Sequence, residues 1–149
     1  MAFPTSYVNG KTVSDAFTNA IALNLDTDTV KVSLFTDSVT GADKNATESY
    51  ASGTWASNEV TSSNYTAGGS ALTNPGVAVA AGVLTFDDSA ATLAWSNVTF
   101  TTRGCLVYSD TLSPKRAVAA INFGSNLPVT AGDFTITWDG TYGIFYATY

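Results

Sequence analysis

The chain contains no histidine and a single cysteine, Cys105. No disulfide can close within it. Ser-His-Asp triads, Cys-His dyads and histidine-bearing zinc sites are excluded by inventory. Positive charge is scarce too: six Lys and Arg stand against twelve Asp and Glu in 149 residues, a formal charge of −6. Nucleic-acid binding needs clustered cations to neutralise phosphates, so nucleic acid is not expected as a partner. The adjacent basic pair Lys115-Arg116 follows Pro114 and reads as a solvated loop. Charged residues make up 12% of the chain, about half the usual share, so Ser, Thr, Asn, Gly and Ala must supply the solvent surface. Long apolar runs are also missing. The longest, at 77–84, is far too short to span a bilayer, and no membrane partner is expected. The opening MAFPTSYVNGK has no basic stretch followed by an apolar core, so synthesis in a cytoplasm is expected.

What is present is a β-pattern. From Trp95 to Asp139 the chain reads as three or four strand-like segments, rich in Val, Ile, Thr, Phe, Tyr and Trp. Gly, Asn, Asp, Ser and Pro fill the gaps between them. β-Branched and aromatic side chains suit a pleated, half-buried surface, and the gap residues suit turns. Hydrophobic content of 45% is ample for a core, and the length fits one domain over 1–149.

Other elements read from periodicity. Residues 12–25 form the one helical candidate, with Ser14 as a cap, Asp15 in the first turn, and Val13, Phe17, Ala20 and Ile21 on one face. Residues 29–35 alternate as a half-buried strand. Residues 77–80 and 83–86 flank Ala81-Gly82 as a hairpin, and 134–138 with 144–148 make the last strand pair. Between Asp37 and Thr73 regular structure is weakest. That stretch carries Tyr50, Trp55 and Tyr65 in a polar setting, with a short strand candidate at 58–60. A loop this long is either a functional segment or a meandering edge, and its aromatics are either packing anchors or interface contacts. About eight short strands and one short N-terminal helix give a mainly β, antiparallel sandwich or jelly-roll-like fold.

Chemistry has little to stand on. Asp26-Thr27-Asp28 and Asp87-Asp88 are the densest acidic spots, and turn formation accounts for both. Neither paired-carboxylate catalysis nor the ordered ligands of a calcium loop is indicated, so no catalytic residue, cofactor or metal is expected. Cys105, behind Gly104 in an apolar strand, reads as a small buried hydrophobe. Arg103 in the same strand is expected to bond a carboxylate or backbone carbonyls.

The phrases LNLDTDTVKVSLFTDS, NYTAGGSALTN, FDDSAATLAWSNVTFTTRGCLVYSD, AAINFGSN and AGDFTITWDGTYGIF occur in that order across about residues 22–145. As an ordered set they resemble a family of small virion proteins of tailed bacteriophages. Its members read approximately D-x-D-T-I-K-V, Y-T-x-G-G, W-S, T-x-R-G-x-V-x-Y, I-x-F-G and G-x-F-T-I-x-W. Here the loop between Thr40 and Val60 is lengthened, so family contacts do not carry over to it.

The resemblance implies a non-enzymatic structural protein of the particle, placed on the head surface as a capsid decoration (cement) protein. The implied partner is the major capsid protein, and a trimer or another homo-oligomer fits the same role. The implied location is the virion, after synthesis in the host cytoplasm. Interface candidates are Phe3, Tyr7, Tyr50, Trp55, Tyr65 and Tyr149, each with core packing as its alternative. A tail or head–tail connector component that forms rings is one other class. A carbohydrate-binding adhesin stacking sugars on Trp55, Tyr50 and Tyr65 is another.

Overall fold

A computed structural model describes residues 3–87 and 92–148. Tyr149 and Asp88 lie outside the described residues, as does most of the expected turn after Asp87. The chain is mainly β, with two antiparallel sheets and one short helix near the N-terminus, consistent with a β-sandwich.

The elements are β1 (Tyr7–Val8), α1 (Gly10–Phe17), β2 (Val30–Phe35), β3 (Ser70–Ala71), β4 (Gly76–Ala80), β5 (Val83–Asp87), β6 (Thr92–Ser109), β7 (Ala117–Thr137) and β8 (Phe145–Thr148). The larger sheet has the order β1-β7-β6-β2-β3, and the smaller has β4-β5-β8.

Two strands dominate. β6 and β7 run for 18 and 21 residues where the sequence pattern suggested several short segments. Turn-type residues inside them make bulges rather than ends. Between the pairs Gly104↔Asn122 and Thr102↔Leu127, β6 advances two residues while β7 advances five. Further irregularities fall near Asn97 and Ala131, both with positive φ. Bulges bend and twist a strand, and the effect here is large. Phe123 and Phe134 are eleven residues apart, about 36 Å in a straight strand, yet their ring centroids lie 6.1 Å apart. The ribbon folds over itself, so side chains from both halves meet in one core.

That core holds Val30, Val32 and Leu34 from β2, Leu93, Trp95, Val98 and Phe100 from β6, Phe134 and Ile136 from β7, and Phe86 from β5. Each fully buried side chain of this kind contributes about 1.5–3 kcal/mol relative to exposure. Alternation along β6 is plain, with Leu93, Trp95, Val98 and Phe100 buried and Thr92, Ala94, Ser96, Asn97, Thr99 and Thr101 outside. Cys105 lies in the core, fully buried as expected, and burial pushes its thiol pKa far up.

Arg116, read as part of a solvated loop, is instead buried against Asp15, and three further expectations need correction. The helix ends at Phe17 rather than residue 25, and its cap is Asn9 rather than Ser14, with Asn9 Oδ1 accepting from Thr12 N at 2.9 Å. Its supposed apolar face is not the anchoring face, since Phe17 is 87% exposed. Polar bonds hold the helix instead. Thr12 Oγ1 donates to the Ala117 carbonyl at 2.7 Å, and Asp15 pairs with Arg116 at 2.7 Å and with Lys11. Second, 134–138 and 144–148 do not pair with each other; the chain between them closes only the Asp139↔Gly143 bridge. β8 crosses to the other sheet and pairs with β5. Third, the strand candidate at 58–60 is a single bridge, Phe35↔Glu59. The hairpin expected from 77–80 and 83–86 is present over 76–87, closed by Ala81 (φ 48°) and Gly82 (φ 78°) in the geometry of a type I′ turn.

Candidate functional site

The long polar stretch is organised by two carboxylates. The chain has only two glutamates, Glu48 and Glu59, and both lie in this stretch. Glu48 is 8% exposed and accepts from Tyr7 OH at 2.5 Å, Trp55 Nε1 at 3.1 Å and Asp43 N at 2.7 Å. Glu59 accepts from Tyr65 OH at 2.7 Å, Tyr50 OH at 2.8 Å and Gly68 N at 2.7 Å. Tyr65 OH also receives Leu34 N at 2.9 Å, which joins the loop to β2. Tyr108 OH donates to the Gly68 carbonyl at 2.8 Å, and its ring stacks on Tyr50 with centroids 4.5 Å apart.

Hydrogen bonds to an ionised acceptor are about twice as strong as neutral ones, so each glutamate fastens several donors at once. The same surroundings keep the phenols protonated. Burial, then the bonds to Glu48 and Glu59, push the pKa values of Tyr7, Tyr50 and Tyr65 well above the ordinary tyrosine value. Tyr108 is shifted the same way by burial and by the nearby Asp110 charge.

The aromatic interface candidates can now be placed. Phe3, Trp55 and Tyr65 are buried, at 3%, 2% and 7% exposure, and Tyr7 and Tyr50 are half-buried. Phe3 and Phe35 both pack edge-on against Trp55, with centroids 5.9 and 5.0 Å away. These five side chains fasten the loop and the N-terminal segment to the sheet, which is the packing alternative for each. Tyr149 lies outside the described residues. The signal that sequence reasoning passed over was the placement of the only two glutamates among these aromatics.

The remaining acids are also tied to the fold. Asp110 takes Lys115 at 2.6 Å and Lys31 at 2.9 Å, and these cations hold its carboxyl below the usual range. Asp15 is lowered by Lys11 and then Arg116. Asp28 accepts from Ser109 Oγ at 3.0 Å, and Asp26 accepts from Val77 N at 2.6 Å, capping the start of the β4 edge. Arg103 lies 3.8 Å from Asp37, and its Nε has no hydrogen-bond partner among the described residues. Among the described residues no three His, Cys, Asp or Glu side chains cluster as a metal site.

Besides Phe17 on the helix, the exposed large apolar side chains among the described residues cluster around the small sheet. Val77, Val79, Tyr142 and Tyr146 are exposed at 40%, 61%, 45% and 52%. Val77 lies opposite Phe86, and Val79 opposite Leu84, so these four share one face of the small sheet. That face is buried at Phe86 and runs out into solvent at the hairpin tip. Tyr146, opposite Thr85, belongs to the other face and contacts Tyr142 with centroids 4.5 Å apart. Neither 76–86 nor 140–148 contains a charged residue. Period-two alternation assigns one face of a strand to the core, so it could not reveal a hairpin that leaves the core while remaining apolar on both faces.

Beside this sheet lie two adjoining apolar recesses of about 370 and 400 Å³, both bordered by Ile121, Gly143 and Ile144. No family model matches the chain, and neither a curated protein nor a solved structure matches it.

Proposed function

We propose that this chain is a non-enzymatic structural protein of a tailed-bacteriophage particle, acting as a decoration protein that binds the outer head surface through its small sheet. The observation that carries this reading is the contrast between spent and free groups. Glu48 and Glu59 are each saturated by three donors, and Asp15, Asp28 and Asp110 are bonded within the fold. The hairpin stretch 76–86 and β8 contain no charged residue and expose Val77, Val79 and Tyr146. Exposed apolar patches of this kind mark interaction surfaces, and burying uncharged surface avoids the desolvation cost of ions. Repetition over a symmetric shell then multiplies a modest contact. The ordered phrases that resemble small virion proteins supply the particle.

The test is binding of purified protein to expanded heads that lack it. Sedimentation with heads and abolition by Val79→Asp support the reading, whereas rings formed without head binding point to a connector and reject it. A second reading, carbohydrate binding, rests on the exposed Tyr142–Tyr146 pair, since aromatic faces stack on sugars. A glycan-array signal lost in Tyr146→Ala, with no head binding, would favour it.

A further inference from the structure

The two recesses lie where β8, an edge strand of the small sheet, faces the β1–β7 side of the large one. The smaller is lined by Tyr7, Val8, Ala120, Phe145 and Tyr146, among others. The larger is lined by Phe123, Leu127, Phe134, Ile136 and Trp138. Each is at the lower end of the size range for a binding pocket, and the Ile121–Ile144 ridge between them makes two neighbouring receptacles rather than one cavity.

Trp138 borders the larger recess and so reports on its occupancy. Its indole Nε1 is enclosed, yet it has no hydrogen-bond partner among the described residues. Buried indole N–H groups normally find an acceptor, and leaving one unpaired costs about 1–3 kcal/mol. On the other side of the groove, β8 pairs only with β5 among the described strands, so its second edge is unpaired.

Charge decides between occupants. Residues 117–149 contain no Lys or Arg but do contain Asp133 and Asp139. Asp139 borders the larger recess, and its carboxyl is held below the usual range by the backbone N–H groups of Tyr142 and Thr141. A second copy docking through the same face would bring the same cation-free, acidic surface to the groove. A basic partner would not meet that repulsion.

We propose that this groove receives an extended segment of a different protein, with alternating apolar side chains and flanking basic residues, added as a strand beside β8. Alternate side chains enter the two recesses, the larger of which is walled by the Trp138 ring. This is strand addition at an exposed edge, in which main-chain bonds give affinity and pockets give register. Assigning the segment to the capsid subunit rests on the proposed function; strand capture itself does not.

The test uses the ¹⁵N-labelled full chain and three synthetic nonapeptides alternating Val and Thr, ended by Lys, by uncharged Ser or by Glu. The chain has three tryptophans, Trp55, Trp95 and Trp138, and hence three indole N–H signals. The Lys-ended peptide should shift the Trp138 signal and leave the other two in place. It should bind roughly tenfold more tightly than the Glu-ended peptide at low salt, with the gap narrowing as salt rises. Ile144→Asp should abolish the shift.

The proposal fails if no peptide moves the Trp138 signal, or if the Glu-ended peptide binds as well as the Lys-ended one. It also fails if concentrating the protein alone moves that signal, because the groove would then be a self-interface. Head binding is measured separately, so loss of head binding with peptide capture intact would reject the decoration role and not the groove.

Discussion

Replacing Glu59 by alanine should cost about 4 kcal/mol of folding stability. The carboxylate accepts three bonds, from Tyr50 OH, Tyr65 OH and Gly68 N at 2.7–2.8 Å. Tyr50 is half-buried, so its hydroxyl can turn to water when the carboxylate is gone. Tyr65 and Gly68 are buried and cannot. Each donor stranded in this way costs about 1–3 kcal/mol, and bonds to charged groups lie at the upper end of that range. Two such donors give the figure. With a urea m-value of about 2 kcal/mol/M, the unfolding midpoint should fall by about 2 M. Glu59→Gln keeps one acceptor oxygen and turns its amide towards a hydroxyl that can accept, so it should lose about half as much. The assay is urea unfolding followed in parallel by far-UV and near-UV circular dichroism. A midpoint for Glu59→Ala within about 0.3 M of the parent, less than the cost of one stranded donor, would refute the account of how this loop is held.

Three further outcomes are expected. Tyr7, Tyr50, Tyr65 and Tyr108 have raised pKa values in the folded state. Their stabilisation is therefore complete below the unfolded tyrosine value of about 10 and is lost as pH rises above it. Tyrosinate absorbance at 295 nm should show a cooperative step coincident with loss of β-structure, and smooth titration in the folded protein would contradict this. Gly69→Ala should fold poorly or not at all, because its Cβ would lie 1.8 Å from the Val32 carbonyl oxygen, whereas Gly140→Ala, with nothing within 4 Å, should melt like the parent. Cys105 should resist a thiol reagent in the native protein and react on unfolding, given its complete burial and raised pKa; prompt native-state labelling would count against that burial.

Fold class was legible because alternation and turn residues are local signals. The position of β2 and the β4–β5 hairpin follow from them, although β2 is buried on both faces, Ser33 and Phe35 included, rather than half-buried. The continuity of β6 and β7 was not legible, since Gly124, Asn97 and Ala131 look like turn or neutral residues whether they end a strand or bulge within it. The helix was overextended because Ala20 and Ile21 continue its apolar period, whereas the bonds that fix it run to Arg116 and Ala117, about a hundred residues away. The loop aromatics were ambiguous for a similar reason. A tyrosine in a polar segment looks alike whether its hydroxyl meets water or a buried glutamate, and only the fold brings Glu59 beneath Tyr50 and Tyr65. The exposed hairpin was recognisable as a hairpin, but its overhang beyond the core depends on where β8 crosses over.

The central claim is that the small sheet and its adjoining groove form the binding surface, while the aromatic loop is internal scaffold. Hydrogen exchange of the protein bound to heads, compared with the free protein, tests it most directly. The account expects new protection across 76–86 and 139–148, with 45–66 unchanged. Protection concentrated in 45–66, with the hairpin still exchanging freely, would contradict it.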